Sequence, residues 1–170
     1  MDVQTFTAQN ETQVSHFDSG GHAVAHFVHS YLFATGSWIY TQLINMKLYR
    51  PFVLTSNLEN LNEFPFQDVH FYAPRIEGNG LLHKALRKAF EAITHSYDDY
   101  CIHLVRTKQA KLLHAHFGTE GYYRLRLQRS VDIPLVTTFY GFDMSQLPTE
   151  HPRWKKRYKQ LFKVGTLFLA

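Results

Sequence analysis

Three short stretches of this chain hold residue types at spacings that chemistry can use. The first is His114-Ala115-His116-Phe117-Gly118. On a β-strand, side chains at i and i+2 share a face, so the two imidazoles could share a metal ion. The run holds no Asp or Glu, no third ligand is evident, and a histidine pair alone underspecifies zinc. The expectation is a packed, hydrogen-bonded pair with no metal. The second stretch, Thr138-Phe139-Tyr140-Gly141-Phe142-Asp143, sets a phenol and a carboxylate at a glycine turn. Such groups hydrogen-bond sugar hydroxyls; the plainer reading is that Gly141 makes the turn, Asp143 caps the segment after it and Tyr140 is partly buried. The third, Ala34-Thr35-Gly36-Ser37, opens a helix and offers an anion its backbone N–H groups and positive dipole end. A tight strand-to-helix turn explains it equally, and the full GxGxxG pattern of dinucleotide binding is absent. His16, His22, His26 and His29 lie close together but match no metal-ligand spacing, and are read as incidental.

Positioning these groups is the work of alternating strands and helices. Apolar runs of strand length begin at Ala23, span Pro51 to Thr55, surround Val69 to Tyr72, and recur over Ala110 to Phe117 and Pro134 to Phe139. Helical periods fall between them, over Trp38 to Leu43, Leu81 to Ile93 and Thr119 to Arg129, and a basic helix runs from about Pro152 to Lys163. Strands alternating with helices through short connections predict parallel strands joined by right-handed crossovers, with helices on both faces: a Rossmann-like open α/β sheet. In such sheets ligands bind at the carboxyl ends of the strands, where all three stretches fall. Residues 1–21 are polar, lack a sustained period and end in Ser19-Gly20-Gly21, which predicts a flexible leader before one domain over residues 22–170. The text stops inside an apolar run, Thr166 to Ala170, so more chain is expected beyond it.

Composition narrows the class. With 170 residues, 45% of them hydrophobic, there is material for one core. No apolar run reaches the roughly 18 to 20 residues of a membrane span, and no secretory signal opens the chain. The single cysteine, Cys101, cannot form an internal disulfide, which fits a reducing, cytoplasmic setting; there the Asn10-Glu11-Thr12 glycosylation pattern has no meaning. The net charge of +4 is local, because Arg153, Lys155, Lys156, Arg157 and Lys159 crowd one stretch.

Taken together, the stretch from Ala110 to Asp143 resembles the N-terminal domain of the retaining GT-B glycosyltransferases of family 4, also called group 1. That family has a strand ending in His-x-His-Phe-Gly, a glycine-led helix, Ile-Pro with a β run, and a Thr-x-His-Gly-x-Asp turn. The matching text here is His114 to Gly118, Ile133-Pro134-Leu135-Val136-Thr137-Thr138-Phe139, and Tyr140-Gly141-Phe142-Asp143. A weaker similarity extends over most of Ala23 to Ala170. The resemblance implies an acceptor-binding half that is inactive alone. A C-terminal Rossmann-like domain with a paired-glutamate motif would hold most of the nucleotide-sugar donor, with no obligatory metal or other cofactor. It further implies that His116, Tyr140, Gly141 and Asp143 flank the sugars, and that Gly36 and Ser37 approach the donor diphosphate. One departure matters: Tyr140 stands where the family has histidine, and a phenol cannot serve as an imidazole acid or base near neutral pH. Tyr140 is therefore assigned to positioning, and no residue here is assigned a catalytic role.

The run Arg153-Trp154-Lys155-Lys156-Arg157-Tyr158-Lys159 mixes cationic and aromatic side chains as interfacial helices do. It predicts peripheral contact with the inner membrane face, beside a lipid-linked acceptor in polysaccharide biosynthesis; the plainer reading is a solvated helix face. Nucleic acid is disfavoured because the aromatics are dispersed through core strands instead of interleaved with the basic run. The competing class is a non-catalytic α/β module that binds an anionic ligand or polysaccharide. A Rossmann-like epimerase or dehydrogenase is disfavoured by the missing GxGxxG and Tyr-x-x-x-Lys patterns.

Overall fold

Side-chain alternation along the strands decides which residues meet which layer of helices. The computed structural model describes residues 21–72, 81, 82, 85 and 96–170. The expected leader, with His16 and Asn10-Glu11-Thr12, lies outside these residues except for Gly21, as does the expected helix Leu81 to Ile93 apart from Leu81, Leu82 and Ala85, which are helical. The fold is α/β and Rossmann-like. Its strands β1 (His22–Tyr31), β2 (Tyr49–Leu58), β3 (Val69–Phe71), β4 (Ala110–His116), β5 (Leu135–Thr138) and β6 (Leu167–Leu169) form one open six-stranded sheet. Every pairing is parallel, in the order β3-β2-β1-β4-β5-β6.

Helices cover both faces, so the central strands read as nearly continuous apolar runs. On one face Ala25 and Phe27 of β1, Phe52 and Leu54 of β2, and Leu113 and Ala115 of β4 pack against three helices. These are α2 (Ser96–Thr107), α4 (Leu125–Val131) and α7 (Arg153–Val164), the last contributing Trp154, Tyr158 and Leu161. On the other face Val28 and Val53 meet Ile39 and Leu43 of α1 (Ser37–Ile44). His26, His114 and His116 alternate with the first set and so belong to the α1 side of the sheet.

Two local differences from the sequence expectation have clear causes. The helix expected over Thr119 to Arg129 is two, α3 (Gly118–Tyr123) and α4, meeting at Arg124. There the side chain turns inward, 6% exposed, with its guanidinium 3.2 Å from Asp98 and 3.6 Å from Glu120 and over the rings of Phe27 and Tyr97. Helix α2 escaped the sequence reading because only Cys101 and Val105 are fully buried hydrophobics, while Tyr97, Tyr100, Ile102 and Leu104 are partly buried among polar residues. After β5 the chain adds two single turns, α5 (Phe142–Ser145) and α6 (Leu147–Glu150). Among the described residues no helix is long and apolar enough to cross a membrane.

Candidate functional site

In this strand order the connections leave β1 and β4 in opposite directions, which opens a crevice at their carboxyl ends. Phe33 comes to it from the β1–α1 connection, Trp38 from the first turn of α1, Phe117 from the end of β4 and Tyr140 from just after β5. Their rings form a continuous group: Phe33 to Trp38 5.5 Å, Phe33 to Phe117 6.2 Å, Trp38 to Tyr140 5.6 Å and Phe117 to Tyr140 4.8 Å between centroids. Trp38 is partly exposed, and Phe142 on the next turn is more so. The sequence reading missed Phe33, Trp38 and Phe117 as site residues, although their positions just after apolar runs were a usable signal.

Behind these rings lies a polar chain. The Tyr140 hydroxyl and His116 Nδ1 are 2.7 Å apart, and His116 Nε2 and His26 Nδ1 are 3.0 Å apart. His114 Nε2 lies 2.8 Å from the Thr138 hydroxyl. Burial drives His116 and His26 well below the usual imidazole pKa, and holds His114 down at about 4. All three rings are thus neutral near pH 7, and none serves as a ready proton donor. Burial also raises the Tyr140 pKa, keeping the phenol protonated.

The chain can be ordered by hydrogen-bond accounting, since each neutral imidazole donates from one nitrogen and accepts at the other. If Tyr140 donated to His116, the run would end on an N–H at His26 Nε2, a buried atom without a partner. In the reverse order His26 donates to His116 and His116 donates to Tyr140, leaving only an unpaired lone pair on His26. Orphaned acceptors are less costly than orphaned N–H groups, so the reverse order is favoured. It leaves the Tyr140 hydrogen unspent on His116, with the Gln42 and Thr138 side chains and the crevice around it.

The reading of His26 as incidental is corrected here. Parallel register sets His26 of β1 opposite His114 of β4, and His116 comes two residues later on the same face. Ligand atoms of the three rings lie within 4.8 Å of one another. The third imidazole absent from the local sequence is supplied from another strand, 90 residues from His116.

Asp143 also departs from its expected role beside a sugar. Its side chain belongs to a residue 1% exposed, and it accepts the Gly118 N–H at 2.7 Å and the Tyr140 N–H at 2.9 Å. It ties the β4–α3 turn to the β5–α5 turn, so it acts on the crevice through Tyr140. Gly141, at φ 88°, gives the turn a backbone conformation that side chains disfavour, and stands exposed. Phe117 holds φ 77° without being glycine, a strained conformation of the kind that collects at functional sites. Beside it, a Cβ on Gly118 would stand 2.1 Å from the Phe139 ring. Gly118→Ala is expected to lose about 1–3 kcal/mol by overpacking, read from urea unfolding; a loss below a few tenths would mean that Phe139 swings aside freely.

Gly36 is buried, and its N–H is already committed to the Phe33 carbonyl at 2.7 Å. It does not offer that group to a diphosphate as expected, whereas Ser37 is exposed at the rim. The basic helix divides similarly. Trp154 is 5% exposed and packs edge-on against Tyr122 and Tyr123, which corrects its assignment to a membrane surface. Arg157 stacks over Trp154, Tyr122 and Tyr123 at 4.7, 5.2 and 5.9 Å, while Arg153, Lys155, Lys156 and Lys159 are exposed. The groove between α3, α4 and α7, lined by Tyr122, Tyr123, Arg126, Arg129 and Lys163, shares no residue with the crevice and lacks its histidines. No protein-family model and no curated protein matches this chain.

Proposed function

We propose that this chain is the acceptor-side domain of a nucleotide-sugar-dependent glycosyltransferase, and that its crevice holds the sugar that receives the transferred residue. The observation that carries the reading is the Tyr140 hydroxyl, hydrogen-bonded to neutral His116 and framed by the rings of Trp38 and Phe117. Carbohydrates present flat C–H faces and radiating hydroxyls, and an aromatic wall with one oriented phenol meets both needs. The resemblance over Ala110 to Asp143 adds the reaction class, and the strand order supports it at the level of fold alone.

In this reading the chain's own residues bind and orient. Tyr140 donates to an acceptor hydroxyl, His116 and His26 hold the phenol, and Asp143 and Gly141 shape the turn that presents it. The donor nucleotide belongs mainly to a second domain, with Ser37 facing its diphosphate across a cleft whose closure excludes water. The setting is cytoplasmic, in keeping with the free, buried Cys101, whose thiol is pushed up to about 12 by burial. Arg153, Lys155, Lys156 and Lys159 would rest on an anionic membrane carrying a lipid-linked acceptor, each contributing about 1 kcal/mol. The work belongs to polysaccharide biosynthesis, and no nucleic acid is involved.

The test is titration of Trp38 fluorescence with a panel of oligosaccharides and nucleotide sugars, using Trp38→Phe to subtract the signal of Trp154. At least one glycan should bind saturably, and Tyr140→Phe should weaken it about 10-fold, the worth of one hydrogen bond, measured where this variant, about 1–3 kcal/mol less stable for losing the acceptor of the His116 N–H, is still folded. In the enzyme assembled with its donor-binding half, the same substitution should slow transfer. Equal glycan affinity in the wild type and Tyr140→Phe would remove this crevice from the acceptor site.

A further inference from the structure

The histidine cluster holds more than a tether for Tyr140 requires. Tethering uses His116 and His26, yet three imidazoles from two strands face one another, with ligand atoms within 4.8 Å. Their ring centroids are 4.4, 4.9 and 5.3 Å apart. His26 and His116 are fully buried and His114 nearly so.

We propose that His26, His114 and His116 form a binding site for a zinc-class divalent cation. The donor set is all imidazole nitrogen. That chemistry suits zinc and the neighbouring transition metals and does not suit magnesium or calcium, which take oxygen ligands. Three histidines make a complete protein ligand set for zinc and leave it one position for water or a bound ligand. His26 Nδ1 and His116 Nε2, 3.0 Å apart, are near the separation of about 3.3 Å that two nitrogens adopt around zinc at 2.0–2.1 Å each. The hydrogen they now share occupies the space that a cation would take.

The surroundings fit the same role. A metal-bound histidine is usually oriented through its second nitrogen by a hydrogen-bond partner. His116 has the Tyr140 hydroxyl at 2.7 Å, and His114 has the Thr138 hydroxyl at 2.8 Å. Burial, by keeping the rings neutral, leaves their lone pairs available near pH 7. This site shares the His116–Tyr140 hydrogen bond with the sugar reading but needs neither Trp38 nor Phe117, so zinc binding and glycan binding are tested separately.

Isothermal titration of chelator-treated protein with Zn²⁺, and separately with Mg²⁺, tests the proposal. One equivalent of Zn²⁺ should bind and Mg²⁺ should not. His26→Gln should weaken zinc about 100-fold or more, while His103→Gln, an exposed histidine on α2, should leave it unchanged. Because His26→Gln also alters the core, long-range ¹H–¹⁵N spectra of the unmodified protein provide a second readout, in which the ring nitrogens of His26, His114 and His116 should shift together on one equivalent of zinc. Absence of saturable zinc binding, equal affinity in His26→Gln, or shifts confined to exposed histidines would each overturn the site and leave the cluster a hydrogen-bonded packing device.

Discussion

Asp143→Ala is expected to destabilise the protein by about 3–5 kcal/mol, more than any surface change near the crevice. The carboxylate accepts two backbone N–H groups, from Gly118 and Tyr140, at 2.7 and 2.9 Å in a residue 1% exposed. A hydrogen bond to a charged group contributes about 1.5–3 kcal/mol, and removing the acceptor also strands donors that water reaches poorly. Asp143→Asn keeps one acceptor oxygen but loses the charge, so it should fall between wild type and Asp143→Ala. Urea unfolding of the three proteins measures the series. A loss under about 1 kcal/mol in Asp143→Ala would mean that the turns hold each other without the carboxylate. Any decline in sugar binding by Asp143→Ala or Tyr140→Phe must therefore be separated from unfolding, because each substitution strands a backbone or imidazole N–H that the side chain now accepts.

Acid should act through the histidine cluster. An imidazole whose folded pKa lies below its unfolded value of 6.5 takes up a proton more readily in the unfolded chain. The stabilisation is complete above pH 6.5 and is lost as the pH falls through the window down to the folded value. For His114 that window closes at about 4, which corresponds to a loss of about 3 kcal/mol. His26 and His116, depressed further by burial and by the charge of neighbouring imidazoles, continue the loss to lower pH. Unfolding free energies of metal-free protein at half-unit steps from pH 7.5 to 5 follow this loss, with Asp98→Asn as the control for Asp98, which burial raises and which acts in the opposite sense; Asp68, held below its ordinary value beside His70 and Lys108, responds at lower pH. His114→Gln should flatten the profile. A wild-type stability that stays level across the window would mean that the rings reach solvent when protonated.

Several features of the fold could be read directly from the text of the chain. A run such as Pro51 to Leu54 is apolar on both strand faces, which a covered parallel sheet accommodates, and the alternation of such runs with helical periods led to the correct α/β architecture. The strand order itself adds what the runs do not state, that β1 and β4 are neighbours. Tyr140 and His116 were legible as residues of the carboxyl edge because both end strands, and the structure joins them by a hydrogen bond.

The sequence by itself determined the layers, the turns and the carboxyl edge at which polar residues gather, because those depend on periods and residue types within a few positions. Tertiary structure alone decided what each polar group does there. Asp143 turns inward because two backbone N–H groups from separate turns converge on it, and Trp154 turns inward because Tyr122 and Tyr123 lie across from it. His26, one histidine among several near the start of the chain, becomes the third member of a cluster only when β1 pairs with β4 in the register that sets it opposite His114. That register is fixed by packing across the whole sheet, and no spacing within a strand records it.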